Sequence, residues 1–169
     1  MLKEAIILAG GLGTRLRNTV PDTPKCMAIV SGQPFIFYVI NQLRSQHINK
    51  FIFALGYKHE IIESYLQEHF PTLNYQCVIE NEPLGTGGAI QLACRVATEK
   101  HVVVVNGDTI FKASLQESNL LTISHLAECT LLLKPMKNIV PCPMCHEPKL
   151  LHHICRNCLR NAFQSVKKK

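Results

Sequence analysis

The sequence predicts an α/β fold, a parallel sheet with helices on both faces, followed by a small C-terminal module of different character. Three observations predict it. Short β-prone apolar runs alternate with stretches of helical spacing over the first 138 residues. The strand-like runs are mostly apolar without alternation, as strands covered on both faces are. After residue 138 the rhythm stops, and Cys, His, Pro and basic residues take over.

The elements follow in order. Residues 5–9, Ala-Ile-Ile-Leu-Ala, form a short apolar run that a Gly-rich loop ends. Residues 34–46 place Phe35, Tyr38, Val39, Gln42 and Leu43 on neighbouring helical turns. Residues 51–55 are apolar and β-prone, and Gly56 closes them. Ile61, Ile62, Tyr65, Leu66 and Phe70 make a helical stripe that Pro71 stops. Residues 75–79 read as a strand, 88–97 as a helix, and 102–105, four valines, as a fully buried strand. Residues 115–127 read as a further helix and 130–133 as a further strand. In such sheets ligands bind at the carboxyl ends of the strands. Both Gly-containing loops and Asp108 fall there.

Composition narrows the class. With 47% hydrophobic and 18% charged residues, the chain has enough apolar material for a core and is not of the disordered type. No apolar run approaches the ~18 residues that span a bilayer, so no membrane role is expected. The first apolar run is too short for a signal-peptide core and lacks a cleavage site, so it reads as a buried strand of an intracellular, cytoplasmic protein. Residues 1–138 hold 12 Lys and Arg against 11 Asp and Glu; residues 139–169 hold 6 against 1. The basic excess therefore belongs to the tail and points to an anionic partner such as nucleic acid. For Lys167, Lys168 and Lys169 a solvated end is the plainer reading. Cys26, Cys77, Cys94 and Cys129 follow no pattern and read as free thiols.

The first constellation of functional interest is Leu8-Ala9-Gly10-Gly11-Leu12-Gly13-Thr14-Arg15-Leu16, followed by Pro24-Lys25. Glycines let backbone N–H groups approach phosphate oxygens. Arg15 adds a forked donor and Lys25 a point charge for a polyphosphate. Neither a Walker loop nor the dinucleotide fingerprint fits: no Gly-Lys-Ser/Thr follows Gly13, and Leu16 stands where the third glycine of the fingerprint is required. A tight turn after the first strand is the bland alternative.

These segments are similar to those of the sugar-phosphate nucleotidyltransferases. The resemblance rests on LAGGLGTRLR and TPKCMAIVSGQPFI, then Leu55-Gly56-Tyr57, then Glu82-Pro83-Leu84-Gly85-Thr86-Gly87-Gly88-Ala89, then Asn106-Gly107-Asp108-Thr109. It covers residues 3–138 and is nearest to the guanylyltransferases that act on heptose 1-phosphate or mannose 1-phosphate. Cys26 departs from it, since proline is common there. The resemblance implies a Rossmann-like fold and attack of a sugar 1-phosphate oxygen on the α-phosphorus of a nucleoside triphosphate, with pyrophosphate leaving. It implies that Leu8, Ala9, Gly10, Gly11, Gly13, Thr14, Gly85 and Thr86 line the nucleotide. Arg15 would hold the pyrophosphate, Lys25 the α-phosphate, and Asp108 a Mg²⁺ ion. A turn residue or helix cap is the alternative for Asp108. Guanine presents N–H donors, so a carboxylate from Glu80 or Glu82 suits it; either is equally readable as a solvated loop acid. The family continues past residue 138 with strands that carry the sugar site and a second metal-binding aspartate. Only Glu147 is acidic beyond that point, so the sequence predicts an incomplete nucleotidyltransferase fold with impaired turnover.

Cys142-Pro-Met-Cys145 and Cys155-Arg-Asn-Cys158 are two knuckles suited to one tetrahedral Zn²⁺. A redox CxxC would sit at a helix start in a βαβ unit, which neither does. PCPMCHEPKLLHHICRNC resembles the C-terminal zinc ribbon of a bacterial or mitochondrial large-subunit ribosomal protein over residues 139–160. That resemblance implies contact with ribosomal RNA, for which Lys149, Arg156 and Arg160 are placed, and the ribosome as an alternative location. A domain boundary is expected near residue 138, with the nucleotide-binding part at 1–138 and the ribbon with its basic tail at 139–169. A natural fusion, an engineered chimera and a misjoined gene model fit the sequence equally.

Overall fold

The computed structural model of the chain describes residues 2–11, 23–132, 139–141 and 148–150. The chain divides into two compact units, Met1–Thr130 and Leu131–Lys169.

In chain order the first unit holds β1 (Glu4–Ala9), a 3-10 turn (Lys25–Met27), β2 (Ile29–Val30), β3 (Gln33–Pro34), α1 (Phe35–Ser45) and β4 (Lys50–Leu55). It continues with α2 (His59–His69), β5 (Tyr75–Ile79), α3 (Gly85–Cys94), β6 (Val102–Asn106) and α4 (Leu115–Ser124). β2 and β3 pair as a small antiparallel ribbon. The main sheet runs β5-β4-β1-β6, parallel throughout, with Ile6 opposite Ile52 on one side and Val104 on the other. β1 therefore lies inside, and its apolar run is explained by burial on both faces. The chain moves outward from β1 through β4 to β5, then returns to place β6 on the opposite flank of β1. That reversal opens a crevice at the carboxyl ends of β1 and β6, where open α/β sheets bind ligands.

Alternation along the strands feeds two cores. Ala5, Ile7, Phe51, Phe53 and Leu55 pack on one face with Ile36, Val39, Ile40 and Leu43 of α1 and Ile62 and Leu66 of α2. Ile6, Ile52 and Ala54 point to the other face, where α3 presents only Ala89 and Ala93, one turn apart. Helices thus cover both faces, as expected. Small residues on α3 let it approach the sheet closely.

Four expectations need correction. The helix expected at 88–97 begins three residues earlier, at Gly85, so the glycines open a helix rather than a loop. The expected helix at 115–127 ends at Ser124; its start is fixed by Ser114, whose side chain accepts from the Glu117 amide at 3.2 Å. The valine strand is not fully buried: among the described residues β6 is a sheet edge, and Val104 is 37% exposed. Thr130, Leu131 and Leu132 form no strand; Leu133 lies outside the described residues. Composition made that segment strand-like, but a strand exists only where a ladder partner satisfies its backbone.

In the second unit, β7 (Ile139–Pro141) and β8 (Pro148–Leu150) pair antiparallel, with Pro141 opposite Pro148. Cys142, Cys145, Cys155 and Cys158 lie outside the described residues.

Candidate active site

A cavity of about 560 Å³ opens at the carboxyl ends of the strands. β1 and its loop supply Leu8, Ala9, Gly10 and Gly11; the loop after β5 supplies Glu80 and Pro83; α3 supplies Gly85, Thr86 and Ala89. Asn106 and Asp108 come from the end of β6, and Lys25 and Cys26 from the 3-10 turn.

The loops that form it are locked to one another through backbone. The Gly107 amide donates to the Leu8 carbonyl at 2.9 Å, and the Glu80 amide to the Leu55 carbonyl at 2.8 Å. A Cβ on Gly56 would lie 2.8 Å from the Gly10 carbonyl oxygen, so this crossing of two backbones requires glycine. A Cβ on Gly10 would lie 2.4 Å from Glu80 Oε1. Glu80 is therefore seated directly over the first loop. Its other oxygen, Oε2, accepts from the Leu84 amide at 3.0 Å, which fixes the carboxylate in place.

Lys25 projects from a turn that buried Cys26 and Met27 anchor and that a Met27 amide to Pro24 carbonyl bond of 2.8 Å closes. Its ammonium is ion-paired with the Asp108 carboxylate. The Thr109 hydroxyl donates to the other Asp108 oxygen at 3.2 Å. Burial first, and then the nearby Asp108 charge, push the Cys26 thiol up to about 12, against a bond from its own backbone. Cys26 is thus a neutral wall and no nucleophile at physiological pH. The first turn of α3 adds N–H groups with no partner inside the helix, a favourable place for phosphate oxygens.

Of the residues singled out in the sequence, Leu8, Ala9, Gly10, Gly11, Lys25, Glu80, Gly85, Thr86 and Asp108 line this one cavity. Glu82 is exposed and does not line it. Gly13, Thr14 and Arg15 lie outside the described residues. Pro83, Ala89 and Asn106 were within recognised motifs but not singled out; their positions within those motifs were the available sign. Among the described residues no group of three His, Cys, Asp or Glu side chains gathers to hold a metal ion.

The family model for nucleotidyl transferases matches residues 4–140. The chain belongs to the nucleotidyl transferase family. Among curated members it is 48% identical over 134 residues to a D-glycero-alpha-D-manno-heptose 1-phosphate guanylyltransferase from Aneurinibacillus thermoaerophilus, a match covering 79% of this chain and 58% of that protein. It is 30% identical over 134 residues to a mannose-1-phosphate guanyltransferase from Schizosaccharomyces pombe, covering 77% and 37% of the two chains. The crystal structure of HddC from Yersinia pseudotuberculosis complexed with GMP-PN superposes with a TM-score of 0.67 and 36% identity, over 72% of this chain and 55% of that one. The chain thus spans little more than half the length of the heptose-phosphate relative and of that solved structure. A second model, the Ribosomal L32p protein family, matches residues 121–168. The parallel sheet with flanking helices is the nucleotidyltransferase architecture.

Proposed function

We propose that the cavity binds a nucleoside triphosphate, GTP in the favoured case, and passes its nucleoside monophosphate to a sugar 1-phosphate. The observation that carries this is the meeting of Gly10, Gly11, Lys25, Glu80 and Asp108 in one cavity at the switch point of the sheet. A sugar phosphate oxygen bonds to the α-phosphorus; the bond from that phosphorus to the bridging oxygen breaks, and pyrophosphate leaves with the electron pair. Such a transfer demands positioning and charge neutralisation. Gly10, Gly11 and the first turn of α3 offer N–H groups, and Lys25 offers its charge to the α-phosphate.

Asp108 fits a Mg²⁺ ion: one hard carboxylate at the cavity wall, completed by phosphate oxygens and water, is a common arrangement for this cation. Bound there, the cation would neutralise charge on the phosphates. Glu80 supports guanine as the base. Leu84 holds one carboxylate oxygen, which leaves the other, over Gly10, to accept from the guanine pairing edge. Glu80→Gln should weaken GTP binding by roughly tenfold or more while changing ATP binding little, as loss of a charged acceptor does. Equal losses for both bases would remove Glu80 from base selection.

The decisive assay is pyrophosphate release. It should require both a divalent cation and a sugar 1-phosphate, heptose or mannose 1-phosphate first. Release with neither present, or none with any sugar phosphate, would overturn the reading.

A second reading concerns the tail, with the junction placed near residue 138. Ile139–Pro141 and Pro148–Leu150 pair antiparallel, and the sequence between them contains the first knuckle, Cys142-Pro-Met-Cys145. Together with the ribosomal family match this favours a ribbon holding one Zn²⁺ on Cys142, Cys145, Cys155 and Cys158 and contacting ribosomal RNA. Mass spectrometry should find one zinc per chain. RNA affinity should fall steeply with salt. A zinc-free tail with salt-independent RNA binding would exclude it.

A further inference from the structure

Lys25, Glu80 and Asp108 are the charged side chains of the cavity among the described residues. Two of them neutralise each other. The Lys25 ammonium rests on Asp108 Oδ2, with the side chains 46% and 27% exposed. Both are brought there by backbone: the 3-10 turn is pinned by buried Cys26 and Met27, and Gly107 is tied to Leu8. Gly107 also runs close to its neighbours: a Cβ there would lie 3.3 Å from each of Ala9 Cβ, Cys26 Cβ and the Leu8 carbonyl oxygen. The backbone therefore brings the two side chains within reach of each other.

The pair has a chemical consequence for the site. A triphosphate needs the Lys25 charge, and a divalent cation needs the Asp108 oxygens; without ligands each is occupied by the other. An ion pair this exposed is weak, so it can be exchanged. Lysine has four rotatable bonds and a compact charge, whereas Asp108 is short and held by Thr109. Lys25 is the partner that moves.

We propose that Asp108 is a positioning residue for Lys25. With no divalent cation its carboxylate holds the ammonium away from the polyphosphate. When a cation occupies the carboxylate, Lys25 is released onto the phosphates, so the two ligands bind cooperatively. This rests on the nucleotide reading of the cavity.

The test is GTP binding by calorimetry, with no sugar phosphate present, in Mg²⁺-free buffer and with Mg²⁺. Wild type should bind more tightly with Mg²⁺. Asp108→Asn should tighten Mg²⁺-free binding, by roughly fivefold if the pair is worth what exposed pairs are. A structural defect would weaken it. Removing the Asp108 charge also lowers its direct repulsion of phosphate, so the same substitution is made in a Lys25→Met background. Action through Lys25 requires that the gain nearly vanish there. By reciprocity, Lys25→Met alone should raise the affinity for Mg²⁺ titrated without nucleotide. An equal gain in both backgrounds, or no gain, refutes the proposal while leaving the nucleotide site standing. Failure of wild type to bind GTP in either buffer refutes the site, and the proposal with it. The Mg²⁺ titration of Lys25→Met decides the matter should Asp108→Asn not fold.

Discussion

Replacing Glu4 should destabilise the fold without touching the site. Glu4 is fully buried at the start of β1, at the sheet end opposite the cavity. Its Oε2 accepts from the Thr98 amide at 2.9 Å and the Glu99 amide at 2.8 Å, tying the α3–β6 connection to β1. Lys50 Nζ forms an ion pair with Oε1 at 2.9 Å, and the same ammonium donates to Thr98 Oγ1 at 2.6 Å. Burial pushes the Glu4 carboxyl up, but the Glu99 amide, Lys50 and the Thr98 amide together pull it below the usual carboxylate range. Breaking a buried ion pair costs about 3–5 kcal/mol, and two orphaned amides overlap with that figure. Thr98 and Glu99 are exposed residues and Lys50 is partly so, so water can reach what Glu4 leaves behind. The low end applies: Glu4→Ala should cost about 3 kcal/mol, and Glu4→Gln, which keeps an acceptor, about 2 kcal/mol. Urea unfolding with an unchanged slope measures this. Because the folded pKa is lowered, the contribution is full above the ordinary carboxylate pKa of ~4.3 and is lost as pH falls through the folded value. The gap between wild type and Glu4→Gln should therefore narrow in acid. A loss under 1 kcal/mol for Glu4→Ala, or a gap equal at pH 3 and pH 7 (conditions on either side of ~4.3), would refute the reasoning.

Gly56→Ala forces a Cβ to 2.8 Å from the Gly10 carbonyl oxygen, so it should cost about 1–3 kcal/mol and weaken nucleotide binding roughly tenfold. Gly11→Ala, with nothing within 4 Å, should leave thermal stability unchanged; equal melting of the two variants would argue against the crossing. Leu43→Ala, at a fully buried position of the α1 face, should cost about 3 kcal/mol in denaturant unfolding, and a loss under 1 kcal/mol would mean the α1 contact is loose. Thiol labelling at neutral pH should modify exposed Cys94 and Cys129 before Cys26 and Cys77, since burial pushes these two up to about 12 and about 11. Peptide mapping that finds Cys26 labelled in the folded protein would contradict its burial.

Sequence patterns read the interior elements well because each is defined by its own residues. Ala-Ile-Ile-Leu-Ala is a two-faced buried strand, and the helix after residue 34 forms as expected, although its buried face is Ile36, Val39, Ile40 and Leu43 and not the stripe through Phe35, Tyr38 and Gln42. What failed depends on neighbours. Four consecutive valines identify a strand, but not how many strands flank it, so β6 was expected in the interior and stands at an edge. Thr130 to Leu132 have strand composition and no ladder partner. The glycines at 85, 87 and 88 argue against a helix by propensity, yet α3 begins there, because packing of Ala89 and Ala93 on the sheet outweighs about 1 kcal/mol per glycine. At the site, local motifs brought out Gly10, Lys25 and Asp108. They left Glu80 and Glu82 undivided, since only the turn after β5 decides which faces the cavity. The Lys25–Asp108 pair, between residues far apart in the chain, has no local mark at all.

The register of β1 against β6, Glu4 opposite Val102, joins the first described strand of the unit to its last. Pairing edge strand β6 onto β1 closes the longest loop between neighbouring strands of the unit, so it should follow the nearer pairings. Until then β6 is a free strand of four valines with no charge or proline within it. Nothing in its side chains distinguishes β1 of its own chain from an equivalent strand of another. The partition between the two is then set by protein concentration against the rate of loop closure. Refolding yield should fall as the chain is concentrated, while the stability of molecules that have already closed stays the same.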